Sequence, residues 1–269
     1  ELPFIGLPRS FKRALQDAGI HMARPSGPKR LLGRFQFNYR NHRKLVVVDN
    51  ERAFTGGLNM SRTYLGRDPS MGAWRDTFIR VRGPIVEQLA LHFASDWRWA
   101  TGEDLSEIAA CTPDEVGPLK AVSLAPSPAE ETAAGNLYFI ALAHVAQHRL
   151  WIASPYFVPD RDVLTALRFA ALRGVDLRIL VPGRADHYLT YFAAMAYFDD
   201  LRAVGGEVWT YDPAFTHQKV ALVDDDIVSV GSINLDIRSG LLNFELTVLF
   251  EGKSAADAVE KMLTADFDN

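Results

Sequence analysis

The sequence predicts an α/β protein built as two lobes related by an internal duplication, with the first lobe truncated at its N-terminus. Three observations carry this expectation. A spaced set of distinctive residues occurs twice, 175 positions apart. Strand-like and helix-like segments alternate ahead of its second occurrence, the pattern of a layered α/β domain. The composition, 48% hydrophobic and 23% charged over 269 residues, is that of a globular chain able to fill one large core or two smaller ones.

Taken in chain order, residues 7–18 read as a helix, with Pro8 in its first turn, Phe11, Leu15 and Ala18 facing inward and Gly19 as its stop. From Ala18 to Val48 there is no acidic residue, while Arg24, Lys29, Arg30, Arg34, Arg40, Arg43 and Lys44 are basic. This run is either a solvated basic face or a surface that attracts the phosphates of lipid or nucleic acid. Within it Phe35, Phe37 and Tyr39 alternate, giving one aromatic face that suits a core or a membrane interface. A greasy strand follows at 45–48, a second strand lies within "WRDTFIRV", and residues 83–99 read as a closing helix.

The seam between the lobes is expected in "CTPDEVGPLK", dividing the chain into residues 1–116 and 117–269. Beyond it come a strand at 120–124 and a helix at 129–148 with Leu137, Ile140, Ala141 and Val145 on one face. A strand at 150–153 ends in "SPYFVPD", where the prolines stop regular structure. Helices at 160–172 and 189–203 alternate with strands at 175–181 and 207–211. The 11 residues 188–198, "YLTYFAAMAYF", are the longest apolar run and read as a buried helix rather than a membrane span. A helix at 254–267 closes the second lobe.

Within the repeat, His42 and His217 each have a lysine two residues on, Lys44 and Lys219. Asp49 and Asp224 follow at +7, Gly56 and Gly231 at +14, and Asn59 and Asn234 at +17. Asp76 lies 34 residues past His42 and Glu245 lies 28 past His217. Only 41 residues precede His42, whereas the second copy uses about 95 for its upstream elements, so the first lobe is expected to lack a strand-helix-strand-helix portion. The chain begins at Glu1 rather than Met, which adds to the expectation of sequence upstream. A single cysteine, Cys111, excludes an internal disulfide framework and most cysteine-based metal sites.

Alternation along a strand puts His and Lys of each copy on one face. Two such pairs meeting at a pseudo-twofold interface suit a phosphate rather than a metal, because ammonium groups repel cations. Lys44, Lys219, Asn59, Asn234, Ser232 and the glycine-turn N–H groups are the candidate donors to its oxygens. One neutral imidazole can attack phosphorus while the other, protonated, gives a proton to the departing oxygen. Asp76 and Glu245 are the candidates to hold the second ring nitrogen of each imidazole. Asp49 and Asp224 count among the catalytic candidates, with turn formation at a strand end as the competing reading. No cofactor and no metal is expected.

The doubled H-x-K-x4-D-x6-G-[GS]-x-N pattern resembles the HKD motif of the phospholipase D superfamily. The segments "NYRNHRKLVVVDNERAFTGGLNMSRTYLG", "WRDTFIRVRGPIVEQLALHFASDW", "RGVDLRILVPGRADH" and "VGSINLDIRSGLLNFELTVLFEG" are similar to bacterial cardiolipin synthases of the phospholipase D type. The resemblance implies two α-β-α sandwich lobes and metal-independent transfer of a phosphatidyl group through a covalent phosphatidyl-histidine. It further implies phosphatidylglycerol as substrate, cardiolipin and glycerol as products, and a place at the bacterial cytoplasmic membrane, peripheral or anchored by segments outside this chain. His42 is favoured as nucleophile by analogy, although the symmetry of the motif allows either order.

Two other classes remain open on this chemistry. A phospholipase D that uses water, or a metal-independent nuclease of the same superfamily, would carry the same motif. Against a nuclease, the chain beyond Lys44 is acidic and its aromatic segments suit lipid, so no nucleic-acid partner is expected. A non-catalytic scaffold is disfavoured by intact His, Lys and Asn in both copies. The oligomeric state is left unspecified.

Overall fold

A computed structural model describes residues 8–23, 40–61, 63–67, 72–110, 113–114, 116–186 and 188–269. The expected basic residues Arg24, Lys29, Arg30 and Arg34, the aromatic alternation of Phe35, Phe37 and Tyr39, and Cys111 lie outside them.

The N-terminal part contains α1 (Arg9–Asp17), the short β1 (Arg40–Asn41), and a sheet of β2 (Leu45–Val48), β3 (Arg52–Gly56) and β4 (Phe78–Arg82), closed by α2 (Ile85–Thr101) and α3 (Ser106–Ala109). The three strands are antiparallel neighbours in the order β2-β3-β4. Then come β5 (Lys120–Leu124), α4 (Ala134–Val145), β6 (Arg149–Ala153), β7 (Phe157–Val158), α5 (Arg161–Leu172), β8 (Asp176–Pro182), α6 (Tyr188–Arg202) and β9 (Glu207–Tyr211). The chain ends through β10 (Val220–Val223), β11 (Ile227–Gly231), β12 (Leu235–Asp236), α7 (Ile237–Leu241), β13 (Asn243–Phe244), β14 (Thr247–Glu251) and α8 (Lys253–Phe267).

Seven of these strands form one mixed sheet in the order β5-β14-β11-β10-β6-β8-β9. The β6-β8-β9 edge is parallel, because α5 and α6 carry the chain back across the sheet, and the rest is antiparallel. Its central strands are buried on both faces, as covered sheets require. On one face Leu150, Ile152, Leu177, Ile179 and Ala221 pack against Tyr138, Phe139 and Leu142 of α4 and Val163 and Leu167 of α5. On the other, Trp151, Leu180, Leu222 and Val228 meet Leu263 and Phe267 of α8. The small sheet and α2 join through Ala53, Val81, Ile85 and Leu89, which share a core with Val248 of β14 and Leu246 just before it.

Hairpin, third strand and closing helix recur in the same order in β2-β3-β4-α2 and β10-β11-β14-α8. The turn residues Asp49 and Asp224 each adopt a left-handed backbone, at φ 54° and 49°.

Three sequence expectations need correction. The inward face of α4 is Tyr138, Phe139, Leu142 and Ala143; Leu137, Ala141 and Val145 point outward and Ile140 is half-buried. Both faces of that helix are apolar, so periodicity alone did not choose between them. In α1 no residue is buried, and Phe11 is about half exposed rather than facing a core. The apolar α6 buries only Ala194 and Leu201 and leaves Tyr188, Leu189 and Phe192 exposed, so it is not a buried helix.

Leu222, fully buried between the sheet and α8, is a strong test of this core. Leu222→Ala should cost about 2–5 kcal/mol in chemical unfolding, whereas Phe11→Ala should stay within about 0.5 kcal/mol of the parent.

Candidate active site

The two copies of the repeat are brought together by backbone hydrogen bonds that cross between them. The His42 N–H donates to the Phe244 carbonyl at 2.8 Å, beside the parallel pairing of β1 with β13. The His217 N–H donates to the Arg75 carbonyl at 2.7 Å, and the Arg75 N–H donates to Phe215 O at 3.0 Å. Phe244 and Arg75 immediately precede Glu245 and Asp76. Each histidine is thereby set against the carboxylate of the other copy.

The side chains follow. Nδ1 of His217 lies 2.9 Å from Asp76 Oδ2, and Nδ1 of His42 lies 3.2 Å from Glu245 Oε1. Both carboxylates are fully buried, while the histidine side chains are 11% exposed for His217 and 32% for His42. A carboxylate on Nδ1 fixes the tautomer with the proton on Nδ1 and leaves Nε2 with a free lone pair.

Each lysine folds back towards its own histidine: Lys44 Nζ donates to His42 O at 2.7 Å and Lys219 Nζ to His217 O at 2.6 Å. Lys219 Nζ also sits 2.7 Å from His217 Nδ1. The intervening residue points to the opposite face. There Arg43 reaches Asp96 of α2 and the Glu245 carbonyl, and Gln218 reaches Asp266 of α8. Arg75 forks onto the same Asp266 and donates to the Asp76 carbonyl. Both guanidinium groups therefore brace the backbone of a histidine-holding carboxylate.

The carboxylates are well supplied with donors. Glu245 receives Ser232 at 2.5 Å, Ser239 at 2.9 Å and Asn243 at 3.0 Å. Asp76 receives its neighbour's N–H, from Thr77, at 2.8 Å and Trp74 at 3.4 Å. Gly57 explains how the shorter aspartate fits: a Cβ at that position would collide with Asp76 Oδ1. The second copy has Ser232 there, and its hydroxyl bonds the longer glutamate.

Burial dominates the electrostatics. It lowers the His217 pKa to about 4, with the Lys219 charge acting in the same direction against Asp76. It lowers Lys219 to about 7, opposed by Asp76, and lowers Lys44 as well, opposed by Glu245 and Asp76. Burial pushes the Glu245 carboxyl up, but the His42 hydrogen bond and charge, Lys44 and Ser232 hold it below the usual range. Charges of one copy thus act on groups of the other, and the residues share one electrostatic site. Two poorly solvated ammonium groups beside two imidazoles are a chemistry suited to an anion, because a phosphate favours their charged forms.

The structure brings His42, Lys44, Asp76, His217, Lys219 and Glu245 together. It does not place Asp49 or Asp224 there, which corrects their inclusion among the catalytic candidates. Asp224, at the far end of β10 from His217, accepts from the N–H groups of Gln147, His148 and Arg149. Asp49 occupies the equivalent turn after β2. Ser232, expected to donate to phosphate, instead donates to Glu245 and accepts from the Leu246 N–H. Asn59 is exposed and donates to the Tyr64 hydroxyl, while Asn234 is buried and hydrogen-bonds Asp236.

Sequence reasoning missed Asn243, which lies 3.1 Å from His42 Nδ1, and the aromatic wall around His217. That wall is Trp74, Tyr64 and Phe215, at centroid distances of 5.3, 5.7 and 6.2 Å. A signal was present in "WRD" and "NFE": the residue two before each carboxylate shares its strand face, and both donate to it.

Residues 139–267 match the family model described as "Cardiolipin synthase, PLD-like domain". The chain is 45% identical over 264 residues to cardiolipin synthase A of Pseudomonas entomophila, covering 97% of this chain and 54% of that protein. It is 46% identical over 262 residues to cardiolipin synthase A of Pseudomonas aeruginosa, covering 97% and 53%. The chain therefore spans about half the length of the curated relatives it matches. Among solved structures it is similar in fold to phosphatidylserine synthase of Haemophilus influenzae, with a TM-score of 0.64, 17% identity, and 85% of this chain and 62% of that one covered.

The lowered Lys219 pKa sets a test. In the folded protein this ammonium loses its proton near pH 7, against 10.5 for an ordinary lysine. The folded state then binds fewer protons than the unfolded one between these values, so this group makes stability rise with pH across that window. Lys219→Met should therefore raise the unfolding free energy at pH 6 by a few kcal/mol, on the order expected from the shift, and by much less at pH 10. Inorganic phosphate should raise the parent's melting temperature more at pH 6 than at pH 9, and Lys219→Met should lose that response.

Proposed function

We propose that this chain, whose residues 139–267 match the family model described as "Cardiolipin synthase, PLD-like domain", transfers a phosphatidyl group from one phosphatidylglycerol to another. The reading rests on one observation above all: two imidazoles, each held at Nδ1 by a fully buried carboxylate, share one site with the buried Lys219 and the half-buried Lys44. Similarity to cardiolipin synthases over nearly the whole chain supports phosphatidylglycerol as the substrate.

In the first step Nε2 of one histidine attacks the phosphorus of phosphatidylglycerol, forming an N–P bond as the P–O bond to the headgroup glycerol breaks. The second histidine, protonated, delivers its proton to that oxygen and glycerol leaves. In the second step the same histidine, now neutral, removes a proton from the headgroup hydroxyl of another phosphatidylglycerol. The new P–O bond forms as N–P breaks, which releases cardiolipin and restores both imidazoles. Lys44 and Lys219, with Asn59 and Asn234, are proposed to hold the phosphoryl oxygens, whose charge grows in the transition state. Family resemblance favours His42 as nucleophile. The neutral, buried His217 meets the electronic requirement equally, and the residue that retains phosphorus in a trapped intermediate decides the order.

The finer architecture belongs to the same proposal: two phospholipase D-like lobes, residues 1–116 and 117–269, derived by duplication. The recurrence of hairpin, third strand, closing helix and crossed carboxylate supports it. We place the enzyme at the bacterial cytoplasmic membrane, where its substrate resides; among the described residues no helix is long and apolar enough to cross a bilayer.

Incubation with labelled phosphatidylglycerol vesicles in the presence of chelator should give cardiolipin and free glycerol. Phosphatidic acid as the sole product would replace the transferase by a hydrolase, and cleaved plasmid with untouched lipid would replace both by a nuclease. His42→Ala and His217→Ala should each lower turnover by at least ~10³-fold, the scale set by removal of a nucleophile or its base.

A further inference from the structure

The entrance to the site is bordered by apolar side chains that cover nothing in the fold. At the start of α6, Leu189 is 85% exposed, Tyr188 73% and Phe192 60%. Met60 and Leu65 are also exposed, at a surface hollow of about 480 Å³ lined by Leu58, Asn59, Met60, Ser61, Tyr64 and Leu65. Both groups lead to the chemistry. Tyr64 packs edge-on to His217, and the charge of Asp186, which precedes α6 and accepts from the Tyr156 hydroxyl at 2.5 Å, acts on Tyr64.

Charge is distributed with direction. Arg184 is exposed and its guanidinium lies against Gly72, where an added Cβ would be 3.6 Å from Nη1, and the exposed Arg67 lies five residues before Gly72. Two cations therefore flank the apolar rim. At the other end of α6 the exposed charged residues are Asp199, Asp200 and Arg202, whose guanidinium lies 3.6 Å from Asp199. An apolar and aromatic helix start flanked by cations, with the charges of the helix itself confined to its far end, is the polarity of an element that inserts partway into an anionic bilayer. A rim of this kind exceeds the scattered apolar residues of an ordinary surface.

Resting on the phosphatidyl-transfer reading, we propose that Tyr188, Leu189, Phe192, Met60 and Leu65 form a docking rim that seats the site mouth on an anionic phospholipid surface. Arg67 and Arg184 pair with lipid phosphates there. The apolar side chains enter the headgroup–acyl boundary. A headgroup phosphate then moves to the lysines without its acyl chains crossing water.

Vesicle binding tests this without turnover. Leu189→Ser/Phe192→Ser should bind phosphatidylglycerol vesicles at least tenfold more weakly than the parent, with an unchanged melting curve. It should also lose interfacial turnover while keeping turnover on monomeric dihexanoyl-phosphatidylglycerol within twofold. Arg184→Gln/Arg67→Gln should weaken binding to phosphatidylglycerol vesicles but not to phosphatidylcholine ones. Should the serine variant misfold, Phe192→Trp gives an independent reading: its emission should shift to the blue on vesicles and not in buffer. Unchanged vesicle binding, an unshifted emission from Phe192→Trp on vesicles, or a concentration-dependent dimer that the serine substitutions abolish would overturn the proposal. Vesicle binding that depends on the rim while no lipid is turned over would leave the rim standing and remove the transferase reading.

Discussion

The structure depends on two backbone hydrogen bonds that exchange partners between the copies of the repeat. The His42 N–H takes the carbonyl before Glu245, and the His217 N–H takes the carbonyl before Asp76. With those bridges in place, each imidazole finds a carboxylate it could not reach from its own copy. Neither copy is a site alone. The exchange also explains how two carboxyl groups are tolerated in the interior. An unpaired buried carboxylate is costly, but Glu245 is met by His42, Ser232, Ser239 and Asn243, and Asp76 by His217, Trp74 and the Thr77 N–H.

Within that shared frame the two halves of the site differ in ways that matter chemically. Gly57 makes room for Asp76, while Ser232 donates to the longer Glu245. One brace is Arg43, within the first His-x-Lys; the other is Arg75, beside its carboxylate, with Gln218 taking the place of Arg43. His217 stands against three aromatic rings and is depressed by desolvation, whereas His42 is more open and neighbours the Asn243 amide. The two copies of the motif therefore carry two unlike imidazoles. Reactions that need a nucleophile and a separate acid–base group profit from that difference.

Much of this was legible in the sequence because the motif is repeated and its residues sit at strand ends, where alternation fixes their face. The pairing His-x-Lys, the two carboxylates, the longer helices and several of the longer strands could be read from the sequence, whereas β3, β11 and the two-residue strands were not. The exchange of carboxylates could not, because sequence offsets give order along the chain and not which copy a side chain faces. Ser232 looked like a free hydroxyl until Glu245 was seen to occupy it. The face of α4 and the exposure of α6 were misread for one reason: in segments apolar all round, periodicity carries no direction, and only neighbouring elements decide which side is covered. Asp49 and Asp224 were equally conspicuous in spacing, yet they serve the two turns.

The crossed pairing is the central claim, and a long-range proton–nitrogen spectrum of histidine-labelled protein reads it directly. A downfield Nδ1 proton on His217 should vanish in Asp76→Asn and persist in Glu245→Gln, with the reverse for His42. Loss of the His217 signal in Glu245→Gln, with Asp76→Asn leaving it in place, would mean that each copy orients its own histidine and would contradict the account.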